Sequence, residues 1–85
     1  LQQNAYHAND TYVPLEKQLK MMRVILRLYN AAQALVARAV PLSRLTATGL
    51  FDEVSRMKYD VPNDQLELLD GYMQKIDETM QKLGQ

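Results

Sequence analysis

Apolar residues near the end of the chain recur at alternating spacings of three and four, and no other feature constrains the fold as much. A repeat of this kind places its members along one side of an α-helix, where a second helix can pack. It predicts a long helix over about residues 62–83. The apolar positions are Leu66, Leu69, Met73, Ile76, Met80 and Leu83.

A similar repeat follows Pro14, a residue that fits the first turn of a helix. It predicts a second long helix over about residues 14–39, which ends before Pro41 because a residue preceding proline avoids the helical region. We expect its apolar stripe to face the last helix. The members of this stripe are Leu15, Leu19, Met22, Leu26 and Tyr29.

Between the two long helices the pattern predicts one or two short ones, over residues 41–47 and 50–59. The second would place Leu50, Val54 and Met57 on one side. No segment alternates as a strand does, and 85 residues suffice for one domain. The predicted fold class is therefore all-α, a small helical bundle.

Charge is divided unequally along the chain. Residues 1–59 carry eight Lys and Arg against four Asp and Glu, whereas residues 60–85 carry two against six. We expect the acidic last helix to lie beside the basic first one. Lys17, Lys20, Arg23 and Arg27 form a basic stripe, which either binds phosphates or an acidic partner, or is a solvated face paired with Asp64, Glu67 and Asp70.

The residues that usually carry catalysis are scarce. The three glycines stand apart, so no phosphate-binding glycine loop is present, and there is no cysteine. His7 is the only histidine and has no second His or Cys with which to share a metal. The adjacent acids Asp52-Glu53 and Asp77-Glu78 diverge on a helix. We expect no catalytic residue and no metal site in this chain.

No apolar run approaches the length that a membrane span requires, and the start of the chain is too polar for a signal peptide. We therefore expect a soluble protein. Because the first residue is Leu1 rather than Met, we expect the chain to be part of a longer one.

Short strings of residues carry a resemblance that extends over nearly the whole chain. They resemble, in the same order, the catalytic A subunits of V-type and archaeal A-type ATP synthases, in the part that opens the C-terminal helical domain. The strings are LQQNAY at 1–6, DTY at 10–12, EKQ at 16–18, MMRV at 21–24, VPL at 40–42 and RMKY at 56–59.

The resemblance implies a division of the chain. Residues 1–13 would be the junction to a nucleotide-binding domain upstream, and residues 14–85 the C-terminal helical bundle. In such a protein the upstream domain binds Mg-ATP or ADP, and the helical domain swings as a lever against the central stalk. ATP hydrolysis or synthesis is thereby coupled to rotation and to proton or sodium transport.

The same resemblance implies roles for particular residues. Tyr6 matches an aromatic residue near the adenine base, and Gln2 and Gln3 would lie close to that pocket; the alternative for Tyr6 is a packing role at the domain junction. Leu42, Ser43 and Arg44 would form a turn toward the rotor, or an ordinary connection between helices. At Ser43-Arg44 the family commonly has acidic residues instead.

The implied partners are the B subunits of the catalytic ring and the subunits of the central stalk, with no nucleic acid and no membrane insertion. The location would be cytoplasmic, in the soluble sector of the ATPase at the membrane periphery. The fragment alone would be no enzyme and would bind no cofactor. The alternative function is a free-standing helical adaptor, which binds a partner helix through the seam of the last helix.

Overall fold

The computed structural model of the chain describes residues 12–84, and all regular structure in that range is helical. The helices are α1 (Leu15–Ala37), α2 (Leu42–Thr46), α3 (Leu50–Asp60) and α4 (Glu67–Leu83). The predicted all-α bundle, with two long helices and short ones between them, is confirmed.

Helices α1 and α4 pack side by side and run in the same direction. Lys20 Nζ lies 3.4 Å from Asp70 Oδ1, and Arg27 donates to Asp77 Oδ2 over 2.8 Å. Farther along, Arg38 donates to the carbonyl oxygen of Gly84 over 2.8 Å. Because residue numbers rise together on both helices, the helices are parallel. This confirms that the acidic last helix lies beside the basic first one.

The core lies between α1, α3 and α4. Helix α4 contributes the predicted seam: Leu69 and Ile76 are fully buried, and the other members of the repeat pack partly buried around them. Helix α3 contributes Leu50, Val54 and Met57, as expected. The buried apolar residues of α1 are Val24, Leu28, Ala31 and Leu35.

The prediction for the buried side of α1 is wrong. The stripe from Leu15 to Tyr29 is between 53% and 68% exposed. Residues along a helix advance by about 100°, so this stripe lies on the opposite side of α1 from Val24 and Leu35. Both sides repeat at spacings of three and four, and the periodicity alone did not distinguish them.

Helix α4 also begins later than predicted, at Glu67 instead of near residue 62. Residues 62–66 form turns, in which Gln65 N–H donates to the Pro62 carbonyl and Leu68 N–H to the Gln65 carbonyl, both over 3.1 Å. The Lys17 ammonium binds the Val61 carbonyl and the Asn63 side chain, and thereby holds this segment against α1.

Two adjacent residues of α1 provide a test of this packing. Leu35 is fully buried whereas Val36 is 61% exposed. Replacing Leu35 with Ala should lower the free energy of unfolding by about 2–5 kcal/mol, because it leaves a cavity in the core. Val36→Ala is the control and should change it by less than about 1 kcal/mol. Urea denaturation measures both, and equal losses would contradict the assignment of the buried side.

Candidate functional site

The connection between α1 and α2 is a closely hydrogen-bonded turn. The Val40 N–H donates to the Leu35 carbonyl over 2.9 Å, and the Ala39 N–H donates to the Val36 carbonyl over 3.0 Å. This is the Schellman arrangement that ends many helices, and it requires a left-handed residue. Ala39 takes that place with a φ of 60°. Since glycine is the usual residue there, the turn carries a strain of roughly 1–2 kcal/mol.

The three predicted turn residues directly follow this connection. Pro41 precedes α2, and Leu42, Ser43 and Arg44 form the first turn of that helix. All three are exposed, and Arg44 forms no ion pair with any residue in the range 12–84. Leu45, the next residue, is fully buried and fixes α2 to the core. The sequence thus places an exposed tip on a rigid support at the C-terminal end of α1.

The residues predicted to contact a nucleotide cannot be located in the same way. Tyr6, Gln2 and Gln3 lie outside the described residues, and so does His7.

Within the basic stripe, three of the four cations are engaged by the domain itself. Lys20 and Arg27 pair with Asp70 and Asp77 of α4. The Lys17 side chain is buried instead of lying at the surface. Arg23, by contrast, lies on the surface and forms no ion pair within residues 12–84. The alternative of pairing with the last helix is therefore confirmed for Lys20. Arg27 also pairs with that helix, but with Asp77, two turns beyond Asp70, the last of the acids that were expected.

Lys17 is the most unusual buried residue of the described chain. It is 1% exposed, and its ammonium donates to the Lys58 carbonyl over 2.9 Å, to the Val61 carbonyl, and to Asn63 Oδ1 over 3.0 Å. The two carbonyls lie at the C-terminal end of α3, where helix carbonyls lack partners and the dipole is negative. Lys17 thus caps α3 and connects it to the start of α1.

Sequence reasoning missed this role by counting Lys17 as a surface cation. The position of Lys17 on the helix indicated that it is buried. It lies seven residues before Val24, on the side of α1 that carries Val24, Leu28 and Leu35. A lysine on an apolar helix side indicates a buried hydrogen-bonding partner.

The adjacent acid pairs Asp52-Glu53 and Asp77-Glu78 lie at the surface, as expected. Glu53 accepts from Lys75 Nζ over 2.7 Å. Asp77 accepts from Arg27, and Glu78 accepts from Gln74 over 3.2 Å. Among residues 12–84 no group of three or more His, Cys, Asp or Glu side chains is placed to hold a metal ion.

Tyr72 is the described residue with a clearly shifted pKa. Burial raises the pKa of its hydroxyl above the ordinary value of 10.0, and the charges of Asp60 and Glu53 raise it further. A hydroxyl with a raised pKa stays protonated at neutral pH, so Tyr72 is no general base there.

The seam of α4 is not a free surface, since Leu69 and Ile76 pack against α1 and α3. An adaptor that binds through this seam would have to open its own core. None of the helices within residues 12–84 combines the length and the apolar character needed to cross a membrane.

Three relatives illustrate what the sequence is similar to. The V-type ATP synthase alpha chain 2 of Clostridium tetani is 39% identical over 83 residues. The V-type ATP synthase alpha chain of Halothermothrix orenii is 37% identical over 83 residues, and the A subunit of the A-type ATP synthase of Methanopyrus kandleri is 38% identical over 84. The chain is homologous to the A (alpha) subunits of V-type and A-type ATP synthases.

It matches one segment of these proteins. The alignments cover 98% of this chain but only 14% of each of the three relatives. No protein-family model matches the chain, and no solved structure matches it. The alignments extend over α1 to α4.

The buried cap can be tested against a surface lysine of the same helix. Lys17→Met removes three hydrogen bonds and leaves buried carbonyls without a donor, which should cost about 1–3 kcal/mol of unfolding free energy. Lys20→Met removes an exposed ion pair and should cost less than about 1 kcal/mol. Urea unfolding of both variants measures the difference. Equal losses would mean that the Lys17 ammonium contributes no more than a surface charge.

Proposed function

We propose that this chain is the C-terminal helical domain of the catalytic subunit of a V-type or A-type ATP synthase. In this role it is a lever, which transmits force between a nucleotide-binding domain and the central rotor. ATP hydrolysis or synthesis would thereby be coupled to rotation and to proton or sodium transport. The observation that carries the proposal is the homology to ATP synthase A (alpha) subunits along 98% of the chain.

The architecture supports a mechanical role because it is stiff along its length. Helix α1 has 23 residues, which corresponds to about 35 Å at the usual helical rise. Helix α4 braces it along one side through the core, the two ion pairs and the Arg38–Gly84 hydrogen bond. A single helix bends gently over such a length, whereas two packed helices resist bending.

The two groups of proposed contact residues flank α1 in the sequence. Tyr6, Gln2 and Gln3 precede α1 in the sequence, whereas the tip of Leu42, Ser43 and Arg44 follows its C-terminal end. We assign the first group to the neighbourhood of the adenine base and the tip to the rotor. A displacement at the start of α1 then reaches the tip because Leu45 and the Schellman turn leave little freedom between them.

Mg-ATP or ADP would be bound by the remainder of the full-length protein, where the phosphate-binding residues belong. The described residues provide no metal-ligand cluster, so the proposal gives this chain no step in the chemistry. Its partners would be the B subunits of the ring and the subunits of the central stalk, in the soluble sector at the membrane periphery.

The tip can be tested in an assembled ATP synthase whose catalytic subunits contain this chain. The double variant Leu42→Ala/Arg44→Ala should lower the number of ions transported per ATP hydrolysed, because the rotor contact is weakened while Leu45 still holds α2. The matched control is Arg56→Ala/Tyr59→Ala on α3, which removes another exposed arginine and an exposed apolar side chain.

Both variants are reconstituted in vesicles, and ATP hydrolysis and ion uptake are measured together. The control should leave the ratio of uptake to hydrolysis unchanged. An unchanged ratio in the tip variant, or an equal fall in both, would contradict the assignment of the tip to the rotor.

A further inference from the structure

Charge is unevenly distributed along the axis of the domain. From Lys17 to Phe51 the sequence contains six Lys and Arg but no Asp or Glu, and residues 79–84 contain no Asp or Glu either. Because α1 and α4 are parallel, both segments reach the end of the domain where these two helices terminate and α2 follows. The end where α1 and α4 begin carries instead four carboxylates, those of Glu16, Asp60, Asp64 and Glu67.

Three exposed cations occupy the carboxylate-free end, which we call the basic end; they are Arg38, Arg44 and Lys82. None of the three forms an ion pair within residues 12–84. The Arg38 guanidinium donates to the Gly84 carbonyl over 2.8 Å, but a neutral oxygen does not cancel its charge. Four cations elsewhere in the domain do pair with carboxylates, namely Lys20, Arg27, Arg56 and Lys75.

Arg44 is the cation of the basic end that the fold explains least. Arg38 follows the last turn of α1 and Lys82 lies in the last turn of α4, where a cation offsets the negative end of a long helix. Arg44 lies on a helix of only five residues, which has a small dipole. Its exposed positive charge is therefore available to a partner.

The surroundings of Arg44 favour a protein as that partner. Leu42 is 44% exposed and Val36 61% exposed, and both line one shallow groove. Side chains two residues apart on a helix diverge, so an occupant that contacts both Leu42 and Arg44 is larger than a single anion. Nucleic acids and anionic membranes are usually bound by more numerous cations, whereas arginine near apolar side chains is typical of protein interfaces.

We infer that the basic end binds an acidic protein segment, of which one carboxylate pairs with Arg44 and one apolar side chain packs against Leu42. The planar guanidinium accommodates both oxygens of a carboxylate, so Arg44 selects an acidic partner over a neutral or basic one. Arg38 and Lys82 add to the positive potential that attracts such a partner.

This assignment rests on the proposed function in one respect, because it takes the acidic segment to belong to the rotor. The two still fail separately. Unchanged coupling in the variant Leu42→Ala/Arg44→Ala contradicts the rotor contact, whereas the experiments below respond to the sign of the charge at position 44 and to the chemistry of the group that lies against it.

The first experiment uses a carbodiimide, which joins an amine to a carboxylate that it directly contacts. Arg44→Lys is introduced into an assembled ATP synthase whose catalytic subunits contain this chain. The introduced amine should form an amide with an Asp or Glu of a rotor subunit, and mass spectrometry identifies the two peptides. The unsubstituted protein is one control, because its guanidinium forms no such amide. Gln65→Lys, at the exposed start of the turns before α4, is the other and should not give this product.

The cross-linked group decides the outcome. An amide to a carboxylate of a different subunit would support the acidic partner and overturn only its assignment to the rotor. The absence of any amide from position 44 to another protein, or a product with lipid alone, would overturn the acidic protein partner.

The second experiment reverses the charge. Arg44→Glu should lower the ratio of ion uptake to ATP hydrolysis further than Arg44→Gln, because a carboxylate repels an acidic partner whereas an amide only fails to attract it. Raising the salt concentration from about 0.1 M to about 1 M should reduce this difference, since the screening length falls from about 10 Å to about 3 Å.

The matched pair Arg56→Glu and Arg56→Gln on α3 should give equal ratios, because Arg56 lies outside the basic end. Equal ratios for the two Arg44 variants, or a difference that high salt leaves unchanged, would overturn the inference.

Discussion

The parallel packing of α1 against α4 is the constraint on which the rest of the fold depends. Two parallel helices cannot be joined by a tight turn, so the chain must return along the length of α1 before α4 begins. Helix α3 makes this return, and the Lys17 ammonium ties its C-terminal end to the start of α1. The core between α1, α3 and α4 forms only when this path is completed, and the exposed tip at α2 is a consequence of it.

Elementary periodicity predicted much of this fold. Spacing predicts the seam of α4 and the buried side of α3, because each of these helices has a single apolar side. Charge predicts that α4 lies beside α1, because the last helix is acidic and the first is basic. Helix α1 differs because Leu15 to Tyr29 and Val24 to Leu35 both follow the helical period. Which side is buried depends on tertiary packing. The side from Leu15 to Tyr29 carries the larger side chains, and for that reason it was wrongly predicted to be the buried one.

The candidate site, too, was predicted from sequence only in part. The end of the long first helix before Pro41 and the short helix after it were predicted from sequence, since a proline after a long helix is a local feature. The rotor contact of Leu42, Ser43 and Arg44 stays a prediction from the resemblance. The position of Lys17 on the apolar side of α1 indicated burial, but its partners are backbone carbonyls more than forty residues away, and a local pattern does not identify them. The homology connects this helical pair to the A (alpha) subunits of ATP synthases, and the force transmission is the part that we propose.

The direction in which α1 and α4 pack is the central claim. Distances between two spin labels, measured by double electron–electron resonance, test it most directly. The chain has no cysteine, so labels can be attached at introduced cysteines. Parallel packing predicts that the distance from Gln33 to Gln81 is shorter than that from Gln33 to Glu67, with narrow distributions for both. If the Gln33–Glu67 distance were the shorter one, or if both distributions were broad, the paired lever would not exist.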